Sequence, residues 1–154
     1  MAKLTYRKAD ENDVQTIVSL LLQDELGKMR EVRSEKLDQR YIKAFKKINN
    51  DPNQYLMVAE LEDKIVGTCH LTIMPSLTFI GTTRIQIEAV RIHKLYRGQK
   101  IGEWMIKEAI NYGKSKDAAI IQLATNKQRQ DALKFYKKLG FEATHEGMKL
   151  YLEL

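Results

Sequence analysis

The stretch Arg84-Ile85-Gln86-Ile87-Glu88-Ala89-Val90-Arg91-Ile92, continued by His93-Lys94-Leu95-Tyr96-Arg97-Gly98-Gln99-Lys100-Ile101-Gly102, decides the fold. Apolar residues fall at Ile85, Ile87 and Ala89, then change parity to Val90 and Ile92. Side chains on a strand alternate between faces, so the change of parity reads as a β-bulge that inserts one residue and re-aims the chain. A strand bent in this way splays from a neighbour. After it, a turn enters a helix whose buried stripe is Ile101, Trp104, Met105, Ala109 and Tyr112, closing near Gly113. Residues 118–125 are then a continuous apolar strand. A strand-helix-strand unit over residues 84–125 implies a parallel pair inside an otherwise antiparallel sheet.

Working outward, Leu4–Lys8 alternates like a short strand, and Asp10 is placed to cap a helix carrying Val14, Ile17, Val18 and Leu21 and ending near Gly27. A second helix starts at Ser34, buries Leu37, Tyr41, Phe45 and Ile48, and stops at Asn49, Asn50 and Pro52. Two strands, Gln54–Leu61 and Lys64–Met74, meet at the turn Glu62-Asp63. Pro75 opens a loop over residues 76–83. A fourth helix over residues 131–139 buries Ala132, Phe135, Tyr136 and Leu139 before Gly140, and strands over residues 141–144 and 148–153 form a terminal hairpin. The expected fold is therefore α/β (α+β), with a mixed, mostly antiparallel seven-stranded sheet, a splayed parallel pair and four flanking helices.

A chain of 154 residues has room for one core, so a single domain over residues 1–154 is expected. No run approaches the roughly 20 apolar residues of a membrane span, and no apolar segment follows the basic start, which makes the cytoplasm the expected location. The single cysteine, Cys69, excludes an intrachain disulfide and a cysteine-based metal site. On a sheet strand it reads as a small buried apolar residue. His70, His93 and His145 have no metal-ligand spacing, and no metal is expected. The net charge of +6 comes from Lys and Arg scattered along the chain without a block of five, which suits a solvated basic surface with one local anion site.

That anion site is the turn Arg97-Gly98-Gln99-Lys100-Ile101-Gly102. A helix N-terminus presents unpaired N–H groups and the positive end of its dipole, Gly98 and Gly102 let a ligand approach the backbone, and Arg97 and Lys100 add charge. A lone Gly-x-x-x-Gly equally serves a tight turn; its place between a bulged strand and a helix favours phosphate. Neither Gly-x-Gly-x-x-Gly nor a Gly-Lys-Ser/Thr ending is present, so it is neither a Rossmann turn nor a nucleoside-triphosphate P-loop.

The turn resembles the acyl-CoA loop of the GNAT N-acetyltransferase superfamily: Arg or Gln, two residues, Gly, one residue, then Gly or Ala. It departs from that pattern at Lys100. Residues 87–93 resemble the superfamily's splayed fourth strand, and residues 132–141, with Phe135-Tyr136 and Gly140-Phe141, resemble its closing helix. The segment from Thr125 through Tyr136 is similar to members acting on aminoalkylphosphonates and other small amines.

The resemblance implies acetyl-CoA as co-substrate, with pantetheine on the backbone of Val90, Arg91 and Ile92 and the pyrophosphate on Arg97, Gly98, Gln99, Lys100, Ile101 and Gly102. Arg129 joins the cofactor set, at a position where the family often has Asn. Tyr136, otherwise a core residue of its helix, would sit near the thioester sulfur. Glu88 is the candidate base, its alternative being a strand carboxylate paired with a cation. The implied reaction is direct acetyl transfer to a primary amine of a small molecule, with a peptide or protein amine as the competing acceptor. The acceptor would lie near residues 26–34 and 74–83, where Lys28, Arg30 and Arg33 favour an acidic or phosphonate-bearing amine and His70 and His145 could edge the pocket. Dimerisation is common in the superfamily. No membrane partner is expected. The alternative of another class is a basic nucleic-acid-binding module, which needs clustered cations and exposed aromatics on one face; no such cluster stands in the sequence, so nucleic acid is not an expected partner.

Overall fold

The computed structural model describes residues 2–153. Five strands form one mixed sheet in the order β1-β2-β3-β4-β5: β1 (Leu4–Lys8), β2 (Gln54–Leu61), β3 (Lys64–Met74), β4 (Thr83–Ile92) and β5 (Ala118–Leu123). The pairs β1/β2, β2/β3 and β3/β4 are antiparallel, and β5 is reached from β4 through a helix. The helices are α1 (Val14–Leu21), α2 (Glu25–Arg30), α3 (Gln39–Asn49), the single turn α4 (Thr78–Gly81), α5 (Ile101–Ser115) and α6 (Gln130–Lys138). The described residues form two compact units, one up to residue 122 and one from residue 123 on.

The bulge lies where the parity of apolar residues changes. Thr68 pairs with Arg91 and His70 with Glu88, so Cys69 faces two residues, Ala89 and Val90, and Ala89 takes a left-handed φ of 52°. The extra residue keeps one face apolar on both sides of the break. Ile85 packs where Gly113 of α5 passes, and Ile92 reaches Gly67 beside Met105 of α5. Without the insertion Ile92 would point to the opposite face. The β2/β3 turn matches its reading too: Glu62 and Asp63 both have positive φ, 51° and 63°, as a two-residue hairpin loop requires.

The sheet buries side chains on both faces. On one, α1 and α3 cover Val58 with Val14, Ile17, Val18 and Phe45. On the other, Met105, Ile106 and Ala109 of α5 are fully buried, and its aromatic residues meet the sheet in the pairs Tyr6–Trp104 (6.4 Å) and Tyr55–Tyr112 (4.3 Å). Cys69 is buried beside the Met57 sulfur, and burial pushes its thiol up to about 12. A thiol so hard to ionise is no nucleophile.

Ahead of α1, Asp10 and Asp13 form a reciprocal cap: the Asp10 side chain accepts from Asn12 N, and Asp13 accepts from Asp10 N at 2.8 Å. Asp13 is also held by both terminal nitrogens of Arg7, at 2.6 and 3.0 Å, while Arg7 Nε donates to Glu60. The hydrogen bond from Arg7, opposed by burial, keeps the Asp13 carboxyl below its free value of 3.8. A carboxylate lowered on folding stabilises the native state above its unfolded pKa, and this contribution is lost as pH falls through the folded one. Asp13→Ala is expected to cost about 2–3 kcal/mol in urea unfolding at neutral pH. The difference from the parent should shrink as pH drops below 3.8.

Several elements differ from the sequence expectation. Five strands and six helices stand among the described residues, against the expected seven and four. One additional helix comes from a local cap. Asp24 adopts an extended conformation and its carboxylate accepts from Gly27 N, which ends the α1 run and starts α2. The four-residue turn α4 is a further one, with Phe79 and Ile80 in left-handed conformations. The next helix begins at Gln39 because Asp38 accepts from Arg40 N, leaving Ser34 outside it. The expected terminal hairpin is absent among residues 141–153, where Met148, Leu150 and Leu152 are exposed. Alternation marks a segment able to form a strand, but a strand exists only through a hydrogen-bonded partner, and periodicity names none.

Candidate active site

Strand β4 ends in a turn that carries the phosphate-loop residues. His93 Nδ1 accepts from Leu95 N at 3.1 Å and so starts a short helical turn over Lys94–Tyr96. Lys94 N donates to Gln23 Oε1, tying this turn to the α1/α2 connection. Gly98 follows with φ 77° and Lys100 with φ 63°. Both left-handed residues bend the backbone so that α5 begins at Ile101, and Trp104 N makes the first helical bond, to Lys100 O. No side chain caps this terminus, which leaves the N–H groups of Ile101 and Gly102 directed outward for an anion. A Cβ built at Gly98 meets nothing within 4 Å, so the approach there is open. The departure at Lys100 is thus accommodated by backbone conformation. This arrangement fits a pyrophosphate: a fifteen-residue helix dipole, uncapped donors, and exposed Arg97 and Lys100 beside them.

The three residues after the bulge are held from the side. Val90 O accepts from Arg91 Nη1 at 2.9 Å, and Ile92 O accepts from Arg97 Nε at 3.1 Å. Arg91 also forms an ion pair with Asp24, 2.9 Å apart and largely shielded from solvent. Because Asp24 caps α2, this pair couples the bulged strand to the segment expected to border the acceptor. Sequence reading missed the pair; a cation and a carboxylate 67 positions apart carry no local signal.

Glu88 is exposed and stands directly across the ladder from His70. The His70 Nε2 lies 2.6 Å from Gln54 Oε1, which also accepts from Thr72 Oγ1. An amide oxygen accepts only, so Nε2 carries the ring proton and Nδ1 is the acceptor. Burial holds His70 below the usual imidazole range, with the Glu88 carboxylate opposing, and a neutral ring results at neutral pH.

On the same face, α1, α3 and the sheet border a half-open cavity of about 150 Å³. Its helical walls include Val18, Leu21, Phe45 and Ile48, and its floor includes Thr68, His70 and Ala89. Neither of the regions expected to border an acceptor, residues 26–34 and residues 74–83, contributes a wall; of the expected edge residues only His70 does. Lys28 pairs with Glu25, and Arg30 Nε donates to Leu26 O, so these cations are engaged locally.

The first unit therefore brings together Glu88, the bulge at Val90, Arg91 and Ile92, and the turn from Arg97 to Gly102. Tyr136 and Arg129 belong to the second unit. There Tyr136 lies edge-on between Phe135 and Phe141, at 5.0 and 5.7 Å between ring centres, and Arg129 caps α6 without a side-chain cap bond. His145 is exposed, its Nδ1 2.6 Å from Thr144 Oγ1. No group of three or more metal-ligating side chains clusters among the described residues.

A bulged fourth strand leading into an uncapped helix N-terminus is the geometry of an acyl-CoA-binding α/β fold. The chain belongs to the Acetyltransferase (GNAT) family, whose profile matches residues 18–141. Among solved structures, a transcriptional regulator from Bacillus halodurans C-125 is 43% identical, with a TM-score of 0.94 over 97% of this chain and 100% of that one. The glucosamine 6-phosphate N-acetyltransferase of Trypanosoma brucei brucei is 34% identical over 58% of this chain and 58% of its own length. The aminoalkylphosphonate N-acetyltransferase of Salmonella typhimurium is 30% identical over 62% of this chain and 61% of its own. The matched segment thus spans about three fifths of these curated relatives.

Proposed function

We propose that the chain is an N-acetyltransferase that moves an acetyl group from acetyl-CoA to a primary amine of a small molecule, acting as one domain. The observation that carries this reading is the bulge at Ala89 leading to the uncapped α5 N-terminus. In this reading the backbone of Val90, Arg91 and Ile92 binds pantetheine, and Arg97 through Gly102 with Arg129 bind the phosphates. The amine nitrogen attacks the acetyl carbonyl carbon; the C–N bond forms, the C–S bond breaks, and the electron pair leaves with sulfur. A backbone N–H at the bulge, of Val90 or Ile92, stabilises the oxyanion. Glu88 accepts the proton lost by nitrogen, Tyr136 donates one to the departing thiolate, and solvent resets both groups. The family relationship and the similarity to two relatives named for small amines support this reading.

Melting curves with a hydrolysis-resistant acetyl-CoA analogue test it: the analogue is expected to raise Tm, and duplex DNA is not. A second reading, a nucleic-acid-binding protein, is favoured by the likeness to a protein described as a transcriptional regulator. Stabilisation by DNA and none by the analogue would select it. Within the transferase reading, Glu88→Gln is expected to lower kcat by about 10²-fold and to change the shape of the pH–rate profile. An unchanged profile would assign proton removal to another group.

A further inference from the structure

The cavity between α1, α3 and the sheet is lined mostly by apolar side chains; its polar residues are Tyr41 on α3, whose hydroxyl accepts from Val32 N, and Thr68 and His70 on the sheet. Val18, Leu21, Phe45 and Ile48 form the apolar part, while Thr68 and His70 form the polar end, with Ala89 beside them. The Thr68 hydroxyl hydrogen is committed to Met57 O at 2.8 Å, so what this end offers a ligand is acceptors, the Thr68 oxygen and His70 Nδ1. A volume of about 150 Å³ matches that of apolar cavities that take one benzene ring. We propose that this cavity holds the non-reacting part of the acceptor, and that the acceptor is an amine bearing an aryl or branched alkyl group, its nitrogen directed at Thr68, His70 and Ala89.

This inference rests on the transferase reading, because Ala89 is the bulge residue beside which the acetyl group would lie. Two further observations favour an apolar acceptor over an anionic one. No Lys or Arg lines the cavity: Lys28, Arg30 and Arg33 of the expected acceptor segment contribute nothing to its walls, and Lys28 pairs with Glu25 while Arg30 Nε donates to Leu26 O. A phosphonate or phosphate placed here would be desolvated without a partner. An apolar wall also favours the uncharged form of an amine, which is the form that attacks.

The test begins with calorimetric titration of acetyl-CoA into the purified protein. Initial rates follow for 2-phenylethylamine and isoamylamine, against aminomethylphosphonate, glucosamine 6-phosphate and an alanine-terminated peptide. Phenylethylamine is expected to exceed the two anionic amines by about 100-fold in kcat/KM. Ala44, an exposed α3 residue at the cavity rim, allows blockage without disturbing the core. Ala44→Trp is expected to lower kcat/KM for phenylethylamine by about tenfold or more, the effect of keeping a ring out of an apolar cavity, while Tm and acetyl-CoA affinity hold. Preference for an anionic amine or for the peptide overturns the assignment, as does an Ala44→Trp enzyme with undiminished arylamine turnover. In those cases acetyl-CoA still binds and the transferase reading stands. Failure to bind acetyl-CoA removes both.

Discussion

A second carboxylate in the first turn of α5, introduced as Gly102→Asp beside Glu103, is expected to raise Tm slightly and to weaken acetyl-CoA binding by about two to three orders of magnitude. Both effects have one origin. The N-cap residue Lys100 makes no side-chain cap bond, so an aspartate beside the N–H groups of Ile101 and Gly102 adds an acceptor at this helix start. Helix stability gains a few tenths to about 1 kcal/mol. In the proposed reading the same carboxylate takes the place of the pyrophosphate, which would meet repulsion in place of a dipole. Gly102→Ala separates the two contributions, since it adds a methyl group and no charge. Thermal melts and calorimetric titration check the prediction. A Gly102→Asp protein that binds acetyl-CoA as tightly as the parent would remove the turn from the phosphate site.

Gly27→Ala is expected to destabilise the protein by roughly 3–4 kcal/mol, a fall in Tm of about 10 °C. A Cβ built at Gly27 would lie 1.7 Å from the Leu21 carbonyl oxygen and 2.9 Å from its carbon, both backbone atoms of α1. Neither can be moved by rotating a side chain, so α1 and α2 must separate, and the Asp24 cap with its Arg91 pair shifts with them. Gly98→Ala is the informative comparison. Its φ of 77° disfavours a side chain, but the space around it is open, so its cost should stay near 1 kcal/mol. Chemical denaturation of the three proteins gives the ordering, and equal stability of Gly27→Ala and Gly98→Ala would refute the close-approach argument.

The contrast between these glycines shows what a sequence can carry. Read alone, Gly27 was a helix terminator; in the fold it is the third residue of α2, kept small by a carbonyl from another helix. Gly98 was read as part of a phosphate turn, and the turn adopts the local conformation that reading needs. The difference is one of range. Conformation at Gly98, the bulge at Ala89 and the Glu62-Asp63 hairpin depend on neighbours a few positions away, and the pattern of residues records them.

Local chemistry therefore gave, from sequence, the five strands, the bulge and α5, and the resemblance of its motifs gave the family. Tertiary structure decided the rest. The pairing of His70 with Glu88 and the tie from Arg91 to Asp24 join residues 18 and 67 positions apart, and the cavity joins residues as distant as Val18 and Ala89; helix and sheet periodicities hold no information at that range. Val18, Leu21, Phe45 and Ile48 were legible as buried stripes. That the stripes stop short of filling the space above Thr68, His70 and Ala89 depends on how two helices seat on a bent strand, and a sequence specifies that only through the packed whole.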